Sequence, residues 1–311
     1  AKMNAMFRLA APAALLAAAL LAAPVAAQGL PNDVVMAKGE LTAEGRKQVA
    51  DFVQSAAERF AEADPAAIAD MRSDMFEQMR NPNISMSFRR AFGAEFTKAF
   101  KRFTDDKDPL RATNAFIVAR YVGTAETIDW IAANLDPNAQ AEVSIRIAAA
   151  AQLAEAMEAP RSFSPPQLDN MAKRLSGLAR RETDWVVVGH ELETLAQLLR
   201  TPGLPTPVAE SIAASLTSAL NDVAVKVMDG SAPELVNALQ RGLLAVRDRT
   251  VNAPASARTK LLDGIAPTVQ KIAGMKGKFP KAVADAGLGD TFDATAKTAS
   301  LLTAMRAKTG K

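Results

Sequence analysis

The chain has 311 residues, no cysteine, one histidine and a formal net charge of +3. The missing cysteine excludes disulfides, thiolate metal sites, thiol nucleophiles and a cysteine-borne lipid anchor, and a single histidine excludes any two-histidine metal site. A chain of this size can bury an ordinary apolar core as one large or two modest domains without covalent staples.

Residues 1–27 read as a secretory signal peptide. Lys2 and Arg8 supply a positive start, Leu9 to Leu21 is a run of Leu and Ala with one Pro, and Pro24-Val25-Ala26-Ala27 offers small residues where a signal peptidase cuts. Met3 or Met6 is the expected biological start, and Gln28 the expected mature N-terminus. The apolar run, about 13 residues, falls short of the roughly 20 that a spanning helix needs. The expectation is a periplasmic or secreted product with no transmembrane segment after cleavage. Without Lys2 and Arg8 the charge drops from +3 to about +1, which gives no reason to expect nucleic acid as a partner. The charge is uneven, however. Residues 271–311 hold eight Lys and Arg against three Asp, so a basic C-terminal segment, 275–311, could dock on an anionic envelope component or simply be solvated.

Residues 28–40 read as an extended linker, and residues 41–274 as a helical domain. Val49, Phe52, Val53, Ala56 and Phe60 form one apolar stripe on a helix from Thr42 to Ala63. Asp64-Pro65 then acts as cap and first turn of a second helix, which buries Ile68, Met71, Met75, Phe76 and Met79 and ends at Asn81-Pro82. A third helix spans Ser85 to Phe103. Its phenylalanines at 88, 92, 96, 100 and 103 share one side and are either core or an exposed apolar patch; Arg89, Arg90, Lys98, Lys101 and Arg102 surround them.

Asp108-Pro109 opens a helix through Phe116 and Tyr121 that closes at Gly123, and Thr124 caps one with Ile128, Ile131 and Leu135. Asp136-Pro137 precedes an Ala-rich helix through Val143, Ile147 and Leu153, which places two Asp-Pro openings 28 residues apart. Further helices are expected after Ser164-Pro165-Pro166, after Asp184, and after Thr206-Pro207. Ser231-Ala232-Pro233-Glu234 reads as a capping box, Leu261 to Ile272 as a helix kinked at Pro267, and Asp290 as the start of a terminal helix. No stretch alternates as a strand does. The class is all-α, with consecutive antiparallel helix pairs.

The run Ala119 to Asp136 resembles the inner turn and second helix of a HEAT-type repeat, and Ile145-Arg146 ahead of Ala148 to Ala151 resembles the first helix of the next. The resemblance covers residues 108–157. It implies a HEAT-like α-solenoid of stacked helix pairs that binds another macromolecule on its concave face, and it brings no catalytic residue, cofactor or metal.

Chemistry is sparse elsewhere. His190 has Thr194, not a second histidine, four residues on, so the helical zinc-hydrolase pattern fails. Asp105-Asp106-Lys107-Asp108 lacks the alternation of a calcium loop and fits a role at the start of the next helix. Glu191 and Glu193 point in different directions from one helix and make a poor acid pair. The expectation is a non-enzymatic interaction or scaffold protein of the bacterial envelope that contacts a protein or an anionic envelope component. Its contact residues would be Arg89, Arg90, Lys98, Lys101 and Arg102, and also Arg120 and Arg146. The alternatives are a carbohydrate-active or cell-wall enzyme on a helical toroid, which needs two facing acids at a cleft, and a periplasmic chaperone, which needs a large apolar cavity.

Overall fold

The structure, a computed structural model, describes residues 29–105, 108–158 and 163–309. The expected signal peptide therefore lies outside the described residues, as do Asp106 and Lys107. The described residues contain helices and turns and no strand. The helices are α1 (Asn32–Val35), α2 (Ala43–Glu62), α3 (Pro65–Arg80), α4 (Met86–Phe100), α5 (Arg102–Asp105), α6 (Pro109–Val122), α7 (Ala125–Ala133) and α8 (Val143–Ala156). They continue with α9 (Pro165–Arg181), α10 (Trp185–Leu198), α11 (Thr206–Asp229), α12 (Val236–Arg249), α13 (Ala255–Ala273), α14 (Lys281–Asp285) and α15 (Gly289–Thr309).

Six helices begin where a short polar side chain takes up the free amides of a first turn. Thr42, Asp64, Ser85, Asp108 and Asp184 each accept a hydrogen bond from an amide two or three residues on, at 2.8–3.1 Å. Thr124 and Thr127 exchange such bonds reciprocally. Gly123, at φ 63°, ends α6 in the left-handed region that favours glycine.

Four segments depart from expectation. The presumed linker contains α1, whose Val34 and Val35 are buried, and the Val35 carbonyl accepts the amide of Ser85 at 2.9 Å. The third helix breaks at Lys101, so that Phe103 enters the core from α5. Asp136 does not open a helix. It folds a turn by accepting the amide of Asn138, and buried Gln140 then reaches back to the Thr104 carbonyl, so α8 starts only at Val143. The starts of α6 and α8 are thus 34 residues apart (143 minus 109), not 28. Ser231 caps nothing. Its hydroxyl donates back to Lys226, and a 3-10 turn, Pro233–Leu235, precedes α12.

α4 is the spine of the first third. It packs on α2, α6 and α7, and α3 packs on α6. Two overlapping series follow. α6, α8, α10 and α12 pack each on the next but one, and so do α9, α11 and α13; α9 with α10, α10 with α11 and α11 with α12 link the series. α15 closes the end by packing on both α12 and α13.

The phenylalanine stripe is core. Phe88, Phe92, Phe96, Phe100 and Phe103 are all buried, and Phe96 and Phe100 stack at 4.2 Å between centroids. Phe60 meets Phe103 edge-on at 4.9 Å, and Trp130 sits 5.1 Å from Phe116. Leaving such rings in water would forgo about 1.5–3 kcal/mol each, which decides the matter. At Gly93 the Thr124 side chain lies so close that a Cβ would come within 2.5 Å of its hydroxyl, so α4 meets the start of α7 over a glycine.

Candidate functional site

The seven basic residues singled out as contacts do not form one patch. Arg146 is buried, and its guanidinium grips Glu182 at 2.7 and 3.2 Å and the carbonyls of Gln140 and Ala141. It offers no surface to a partner. Arg120 pairs with Glu155 and lies over the Tyr121 ring, with its centre 4.7 Å from the centroid. Arg89 donates to the carbonyls of Tyr121 and Val122, tying α4 to the end of α6. Arg102 donates to the Ala57 carbonyl on α2 and covers Phe103. Arg90 is exposed and pairs with Glu40 at 3.0 Å. Lys98 and Lys101 are exposed; Lys98 lines a small surface hollow between α2 and α4 with Asp51, Gln54 and Glu95.

His190 belongs to a structural triad on the flank of α10. Its Nδ1 lies 3.3 Å from Arg241 and 3.4 Å from Glu193, and Arg241 grips Glu193 at 2.7 and 3.2 Å. Burial opposes the Glu193 charge, but the hydrogen bonds from His190 and Arg241 and the Arg241 charge outweigh it and bring the carboxyl down to about 2. Asp108 serves as the cap of α6 and pairs with Arg111. Among the described residues, no group of three or more His, Asp or Glu could hold a metal ion.

Glu191 and Glu193 do point apart: Glu193 is held by Arg241, while Glu191 is 1% exposed. The acid that does come near Glu191 is Glu182, which is equally buried. Two carboxyls sealed in a core cannot meet a glycan, so they do not form the acid pair that a glycosidase requires. The buried phenylalanine stripe likewise leaves no apolar face on α4 for cargo.

A recessed feature with mixed chemistry lies between α7 and α9, and sequence reasoning did not find it. α7 packs on α4, α6 and α8, and α9 on α10 and α11. Between α7 and α9 lies a cleft of about 170 Å3 with Asp129 on one wall and Asn170, Met171 and Arg174 on the other, together with Phe163 and Gln167. Loss of water pushes the Asp129 carboxyl above its ordinary value, and the Arg174 charge offsets this only in part. Among the described residues the two do not close into an ion pair, so a carboxylate and a guanidinium remain available beside Phe163 and Met171. The stripes predicted on α7 and α9, Ile128-Ile131 and Leu168-Met171-Leu175, show where the buried faces lie, and only their placement side by side exposes this seam.

No family model, no curated protein and no solved structure matches the chain. No helix among the described residues is long and apolar enough to cross a membrane.

Proposed function

We propose that the protein is an exported, non-enzymatic interaction or scaffold protein of the bacterial envelope, built as a HEAT-like α-solenoid, that binds a segment of another protein. The observation that carries this reading is the packing of helices two apart, in two linked series. Helices arranged so present a broad run of side chains from successive elements rather than one reactive pocket. The α7–α9 cleft is where that run is recessed. Asp129 and Arg174 would read one basic and one acidic group of the partner, with Phe163 and Met171 lining the same cleft. Arg90 and Lys98 lie on α4, which packs directly on α7, and with Lys101 just past its end they would extend the surface with positive charge. The signal peptide read from residues 1–27 supports the location.

The test is cross-linking in the native envelope with three proteins: the natural chain, an Asp129→Arg/Arg174→Glu variant, and an Arg90→Glu/Lys98→Glu/Lys101→Glu variant. Loss of one adduct in the cleft variant, with the helical circular-dichroism spectrum retained, supports the cleft. An adduct that survives both variants removes these surfaces. Turnover of a cell-wall glycan by the purified protein would replace the whole reading with an enzymatic one.

A further inference from the structure

Glu191 is 1% exposed, and neither of its carboxylate oxygens meets a hydrogen-bond donor among the described residues. Charged groups do surround it, one set from each neighbouring element, but each already has a partner. α8 contributes Arg146, spent on Glu182 and two carbonyls. The end of α9 contributes Arg181, paired with Asp136 at 3.1 Å. α11 contributes Lys226, whose ammonium donates to the Arg180 and Glu182 carbonyls. On α12, Arg241 is held by Glu193 and His190, which point away from Glu191, and Glu234 of the 3-10 turn beside it is exposed to solvent.

The remaining neighbour, Glu182, is the ionised one of the two buried carboxyls. It accepts from Arg146 twice and from the amides of Thr183 and Asp184, and although burial opposes its ionisation these donors hold its carboxyl below the ordinary value. An ionised Glu191 would therefore be a second negative charge in the same dry region, with no donor of its own. A carboxyl in that position keeps its proton.

We propose that Glu191 is a proton site that latches α10 into the core: with the proton it packs as a neutral side chain, and without it the packing of α10 against α8, α9 and α11 loosens. Burial first, and then the Glu182 charge, push its carboxyl well above the ordinary 4.5, while Arg181, Arg146 and Lys226 offset this only in part. The folded chain thus keeps a proton that the unfolded chain has released. The stabilisation is complete below pH 4.5, the unfolded value. Above it the folded-to-unfolded ratio falls about tenfold per pH unit, until the folded carboxyl itself titrates and the contribution is gone.

The experiment is thermal unfolding of the purified protein in steps from about pH 5 to about pH 9, compared with Glu191→Gln. The natural protein should lose melting temperature steadily as pH rises. The variant should lack that decline and overtake the natural protein on the alkaline side. Glu191→Met, close in volume and free of polar demand, makes the same comparison should Gln fail to fold. Infrared spectra of the natural protein should also show a protonated-carboxyl band at neutral pH that disappears in either variant. A decline equally steep without Glu191, or no such band at neutral pH, overturns the proposal.

Discussion

At the scale of single residues, the α8–α10 region shows how differently one buried charge and the next can be treated. Glu182 is supplied with four donors, and removing the main one should be severe. Arg146→Ala leaves a sealed carboxylate without its counter-ion and is expected to cost about 3–5 kcal/mol in urea unfolding. Arg146→Met combined with Glu182→Met should recover much of that loss, because no buried charge is then stranded. Glu193 works on the opposite side of the pH scale from Glu191. With its carboxyl near 2 instead of 4.5, its contribution is present above pH 4.5 and lost as pH falls towards 2. Glu193→Gln should flatten the acid limb of a stability–pH curve and leave the alkaline limb untouched. None of this pairing was legible locally. Arg146 reads from sequence as a surface cation because its partner lies 36 residues away, and only the tertiary contact turns it inward.

Among the helices, legibility followed the caps. Thr42, Asp64, Ser85, Asp108, Thr124 and Asp184 mark true starts because an oxygen on a short side chain reaches the second or third amide without help from elsewhere. Asp136 offers the same chemistry and fails, since the Gln140–Thr104 bond between distant segments holds the chain out of helix for another turn. The cleft between α7 and α9 was out of reach for a related reason. It exists through the spacing of two helices, whereas each apolar stripe reports only the inner face of one. The α4–α7 contact gives a sharp test. Gly93→Ala should destabilise by about 1–3 kcal/mol, because the new methyl meets the Thr124 hydroxyl. Thr124→Ala costs its own cap, about 1 kcal/mol. The double variant should be less destabilised than the sum of the two, a coupling that denaturant unfolding of all four proteins would measure. Additive losses would show that the helices part freely at this point.

Over the whole molecule, the last helix matters out of proportion to its position. Phe292, Ala296, Ala299 and Leu302 of α15 are buried, and the helix lies on both α12 and α13. The basic C-terminal segment is thus partly integral to the fold, not merely a solvated tail. A chain ending at Leu288 should expose apolar faces on both neighbours, bind a hydrophobic dye and melt several degrees lower. Unchanged melting would mean that α15 docks without contributing.

The distribution of aromatic rings also has a practical consequence. Of the two tryptophans, Trp130 lies 7% exposed in the nest of phenylalanines made by α4 and α6, while Trp185 opens α10 with 38% of its surface in solvent. The molecule therefore carries one shielded and one wet indole, each stationed in a different half of the chain. Single-tryptophan forms, Trp130→Phe and Trp185→Phe, should emit at clearly different wavelengths when native. Coincident fluorescence transitions in the two would establish that both halves come apart in one step, and separated transitions would reveal which end yields first.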